Sequence, residues 1–70
     1  MKGKLPFIEE IYDMETEDLQ IILRTIEADF KKAAAGLNVE LPEDIDSFEK
    51  YQRKAIKLKD CLELELDERS

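Results

Sequence analysis

The sequence predicts an all-α fold: an antiparallel helical hairpin of two long helices with a short N-terminal helix, which a second copy can complete into a four-helix bundle. Three observations predict it. Gly and Pro are scarce, two of each in 70 residues, and fall where helices need punctuation. Apolar residues recur at three- and four-residue steps along two stretches of similar length. The one run of alternating period, Leu62-Glu63-Leu64-Glu65-Leu66, has no second strand to pair with and reads as helix.

The first helix is expected over residues 6–13. Pro6 suits a first helical position, where its missing N–H costs nothing, and Phe7, Ile8, Ile11 and Tyr12 follow at helical spacing. The second is expected over 17–35. Thr16 is its candidate N-cap, because a hydroxyl there accepts from the free N–H groups of the first turn. Glu17 and Asp18 complement the positive end of the helix dipole. Leu19, Leu23, Ile26, Phe30 and Ala33 step by four, three, four and three residues, a seam widened by Ile22. Lys31 and Lys32 suit the negative end, and Gly36 is the expected stop, free to adopt a left-handed conformation.

Residues 36–46 form the connector, in which Val39, Leu41 and Ile45 are expected to tuck against the core. The third helix is expected over 47–66, with Asp46 as N-cap and Glu49 completing a capping box. Its stripe is Phe48, Tyr51, Ala55, Leu58 and Leu62. Two helices of matched length joined by one connector pack antiparallel, with the short helix laid across them.

Seventy residues suffice for one small domain, spanning residues 1–70, with a thin core. Chains of this size usually draw on disulfides, a metal or a partner. Cys61 is the only cysteine and there is no histidine, so an internal disulfide is impossible and a zinc site is not expected. Self-association is the expected remedy. Hydrophobic residues at 43% and clear patterning argue for an ordered chain despite 41% charged residues. A net charge of −7 disfavours nucleic acid and anionic membranes as partners. No apolar run approaches a membrane span, and the basic Met1-Lys2-Gly3-Lys4 is followed by no signal-peptide core. A lone cysteine fits the reducing cytoplasm.

The least ordinary feature is acidic. Glu9, Glu10, Asp13, Glu15, Glu17 and Asp18 occur without an intervening Lys or Arg, and Glu63, Glu65, Asp67 and Glu68 follow near the other end of the chain. A hairpin brings these groups to one pole, either a solubilising end or a docking surface for a basic partner. Ile21, Thr25 and Ala28 lie off the seam of the second helix and form a candidate oligomer or partner face. Lys50, Arg53, Lys54 and Lys57 share one face of the third helix. Asp46 and Glu49 stand four residues before Lys50 and Arg53, which predicts a self-paired, solvated face rather than a phosphate grip.

Catalytic equipment is missing from the pattern. Cys61 lies mid-helix without an imidazole partner and reads as a half-buried thiol. No calcium-loop order, phosphate loop or aromatic platform occurs, so neither an enzyme nor a cofactor is expected. The order Leu41-Pro42, Phe48-Glu49, Leu58 and Cys61 resembles the small subunit of exonuclease VII, a family that is also short, acidic and helical. The resemblance covers residues 41–70, its spacings differ from the family's, and no functional residue is carried over from it.

The expected function is therefore a non-catalytic protein-interaction module: a small acidic helical regulator or inhibitor of another protein, itself a homo-oligomer. The alternative is a structural small subunit of a larger complex. Direct nucleic-acid binding through the basic face comes third.

Overall fold

The computed structural model describes residues 4–70; the basic Met1-Lys2-Gly3 lies outside them. Three helices and no strand occur among the described residues: α1 (Ile8–Ile11), α2 (Thr16–Ala34) and α3 (Phe48–Arg69). At 1.5 Å per residue, the 22 residues of α3 span about 33 Å. That accounts for the long dimension of the molecule, 34 × 23 × 17 Å.

The predicted seams are where the core forms. Leu19 and Ile26 of α2 and Tyr51, Ala55, Leu58 and Leu62 of α3 are buried, joined by Leu5 and Ile11. Ile22, Leu23, Phe30 and Phe48 border them, half-buried. Full burial of a Leu or Ile side chain is worth about 1.5–3 kcal/mol, so these few residues carry most of the favourable term. Val39, Leu41 and Ile45 of the connector pack on the same cluster, and Pro42 is buried beneath it.

Helix ends depart from the expected boundaries. Pro6 does not open α1. Phe7 stays extended (φ −74°, ψ 154°), with Glu10 Oε2 accepting from its N–H at 3.3 Å, so the helix begins at Ile8, two residues later than expected, and runs for four residues. Thr16 is not the N-cap of α2; Glu15 holds that position, because the Thr16 hydroxyl accepts from Arg69 instead. Asp46 is likewise not the cap of α3. Ser47 Oγ accepts from the Lys50 N–H at 3.4 Å, while Asp46 reaches the Lys50 ammonium at 3.0 Å. Glu49 pairs with Arg53 at 3.1 Å rather than closing a capping box. α3 also continues past the expected residue 66 to Arg69.

The stop after α2 forms as expected. Gly36 adopts φ 79°, the N–H of Leu37 reaches Lys32 O at 2.9 Å, and the N–H of Gly36 reaches Ala33 O at 3.1 Å. These two bonds satisfy carbonyls that the last turn leaves open.

Two long-range contacts set how α2 and α3 lie. Tyr51, near the start of α3, donates its hydroxyl to Asp29 Oδ2 near the end of α2 at 2.7 Å. Arg69, at the end of α3, reaches Thr16 at the start of α2. α1 packs on α3. No helix among the described residues is long and apolar enough to cross a membrane.

Candidate functional site

The end of α3 meets the α1–α2 turn through one side chain. Arg69 Nε donates to Glu65 Oε1 at 3.3 Å, one turn back on α3. Nη1 donates to Met14 O at 2.8 Å and to Thr16 Oγ1 at 3.3 Å. Nη2 donates to Ile11 O at 3.3 Å and Tyr12 O at 3.4 Å. Arg69 thus donates to the carbonyl of Ile11 at the end of α1 and to those of Tyr12 and Met14 just beyond it, a cation that suits the negative end of the helix. Only a planar guanidinium fork can serve so many acceptors at once.

This clamp decides which acidic residues come together. Asp13, Glu15, Glu17 and Asp18 flank the turn that Arg69 holds, and Asp67 and Glu68 flank Arg69 itself; all six are exposed. They form the pole. Glu65 belongs to the same end, but its side chain is only 14% exposed and is engaged by Arg69, so it supports the pole from beneath. Glu9 lines a hollow with Lys54 and Lys57, and Glu10 lines another with Lys4 and Lys54. Both therefore sit along the middle of α3 rather than at its end. Glu63 pairs with Lys59 at 2.6 Å, a hydrogen bond that pushes the Lys59 ammonium above its ordinary range.

The candidate face on α2 is uneven. Ile21 and Ala28 are exposed, whereas Thr25 is half-buried and donates its hydroxyl to Ile21 O at 2.8 Å. The basic face of α3 is largely engaged. Lys50 pairs with Asp46, Arg53 with Glu49, and Lys54 with Asp44 at 3.6 Å, while Lys54 also lies 5.9 Å from the centre of the Phe7 ring. Lys50 holds the Asp46 carboxyl below its ordinary range. Lys57 makes no ion pair among the described residues. Cys61 is a free, half-buried thiol.

Two features escaped the sequence reading. Arg69 is one; its i, i+4 relation to Glu65 was the only signal available. Asp29 is the other, a carboxylate only 5% exposed, held by the Tyr51 hydroxyl. Tyr51 is buried and ringed by Phe30 and Phe48, at centroid distances of 6.4 and 5.9 Å. Burial first, and the adjacent Asp29 second, push its phenol well above the ordinary tyrosine range. The pair joins the two helices. No group of three or more His, Cys, Asp or Glu suited to a metal ion occurs among the described residues.

No family model matches the chain, and neither a curated protein nor a solved structure matches it significantly.

Proposed function

We propose that the chain is a non-catalytic protein-interaction module, a small acidic helical regulator or inhibitor that docks on a basic surface of another protein. The observation that carries this reading is the pole: six exposed carboxylates around a turn whose backbone is held by Arg69. An antiparallel hairpin of α2 and α3 serves as the frame. A preordered charged surface loses little freedom on binding, and concentrated charge speeds encounter with an opposite surface. The unpaired Cys61 suits a reducing compartment such as the cytoplasm.

The test is capture on the tagged chain, washed at low salt and then at about 0.5 M salt, where screening acts within a few ångströms. The expected result is a basic protein held at low salt, released at high salt, and not captured when Asp13, Glu17, Asp67 and Glu68 are replaced by their amides. A partner that survives high salt and ignores those replacements would sink the docking reading. It would favour a structural subunit instead, a second reading supported by the exposed Phe7, Ile8, Tyr12 and Leu64.

A further inference from the structure

Seven large hydrophobic side chains are exposed among the described residues, and four of them lie along one edge of the molecule. Phe7 and Ile8 border a hollow with Lys54, Lys57 and Leu58, and Tyr12 and Leu64 border another with Cys61, Glu65 and Glu68. α1 thus runs beside α3 in the same direction and forms a wall along it. Ile21, Leu37 and Ile56, the other three, do not line either hollow. Clustered exposed apolar surface marks an interaction site, whereas scattered residues do not.

On α3 this edge carries Lys57, Cys61, Leu64 and Glu68, which fall within about 60° of arc at 100° per residue. Their steps are four, three and four, a spacing that reads the same in either direction. Their chemistry reverses just as well: a cation, two apolar groups, an anion. Lys57 and Glu68 are exposed, and neither makes an ion pair or hydrogen bond among the described residues. A two-fold interface requires a patch that is complementary to itself when turned around. The geometry points to a second copy of this chain as the occupant of this edge, with the two α3 helices packed antiparallel.

The pairing then has one register. Lys57 meets Glu68 of the second copy, Cys61 meets its Leu64, and the two-fold axis passes between residues 62 and 63. An axis normal to both α3 helices leaves the two α1 segments on the same side, Tyr12 of each beside Phe7 and Ile8 of the other. A standard interface takes about 800 Å² from each partner. That is roughly a sixth of the 5035 Å² accessible surface. Self-association through α3 supplies the second source of stability that so thin a core calls for. It also leaves the carboxylates Asp13, Glu15, Glu17 and Asp18 outside the contact. The inference rests on the interaction-module reading only in treating the chain as one that associates; its readout needs no basic partner, so either can fail alone.

The experiment is a charge swap read by sedimentation equilibrium on the isolated chain across a dilution series at low salt. The wild type is expected at twice its 8.2 kDa mass. Lys57→Glu or Glu68→Lys alone places like charges together at both ends and weakens self-association about tenfold. The double variant, Lys57→Glu with Glu68→Lys, restores it. Both positions are exposed, and unchanged circular dichroism confirms that the variants fold. Ile21→Lys, on the α2 face, leaves the mass unaltered. A wild type at 8.2 kDa throughout, single reversals without effect, or a double variant that stays dissociated overturns the proposal. So does a dimer broken by Ile21→Lys but not by the swaps.

Discussion

Near its start, α3 is joined to α2 by two side chains, the Tyr51 hydroxyl and the Asp29 carboxylate, enclosed by the rings of Phe30 and Phe48. Near its end, it is joined to the α1–α2 turn by one side chain, Arg69, spread over the carbonyls of Ile11, Tyr12 and Met14. The first junction is dry and depends on the identity of residues on both helices. The second is partly wet, with the Arg69 side chain 22% exposed, and depends on a single residue, three of whose acceptors are backbone carbonyls that any sequence would supply. Breaking the first should therefore unfold the molecule, and breaking the second should loosen one end of it.

The largest effect is expected for Tyr51→Ala, which removes a fully buried ring and leaves Asp29 buried without its donor. A loss of about 3–5 kcal/mol follows for an aromatic truncation in a core, enough to abolish a cooperative urea transition in a domain this small. A Tm within a few degrees of wild type would contradict the core assignment. Arg69→Ala is expected to cost less, about 1.5–3 kcal/mol for the loss of charge-assisted bonds, and to act locally. Hydrogen exchange should rise for amides of residues 8–14 while those of residues 51–62 stay protected. Uniform deprotection would erase the distinction between the two ends.

Alkaline pH separates the junctions further. The Tyr51 phenol is raised in the folded state, so the unfolded chain gives up its proton first, near pH 10. The stabilisation is complete below pH 10 and is lost as pH climbs from there toward the folded value, at about 1.4 kcal/mol per pH unit. Tyr51→Phe removes this share of the decline, whereas Arg69→Ala keeps it. Stability curves that are parallel above pH 10 for Tyr51→Phe and wild type would count against the buried phenol. The smallest effect is expected for Asp13→Asn and Asp67→Asn, exposed acids at the crowded pole. Changes within about 0.5 kcal/mol, toward greater stability, should appear in thermal melts.

Much of this frame was legible in the residues. Leu19, Ile26, Tyr51, Ala55, Leu58 and Leu62 are buried because steps of three and four put them on one side of their helices, and Gly36 ends α2 because it alone there takes a positive φ freely. The caps were misplaced by one residue. Adjacent polar side chains compete for the same role, and other partners decided the outcome, the distant Arg69 for Thr16 and the neighbouring Lys50 for Asp46. Asp29 could not be read as buried, since a carboxylate beside the seam faces solvent unless a partner elsewhere receives it. The acids of the pole were legible as a set but not in their division. Glu9 and Glu10 leave it because α1 runs alongside α3, and Glu65 turns inward because Arg69 holds it. Arg69 itself was hidden for a simple reason: three of its five acceptors are backbone carbonyls, and every residue has one.

Gly36 has one more consequence. A Cβ added there would meet nothing within 4 Å, so no neighbour forbids a side chain. What forbids it is handedness: an L-residue at φ 79° pays about 1–2 kcal/mol in its own backbone. A D-alanine, for which that dihedral is the ordinary choice, would sit at this exposed position without strain and narrow the freedom of the unfolded chain. The end of α2 is thus specified by chirality, and a chemically synthesised chain with one mirror-image residue should be more stable than the natural one.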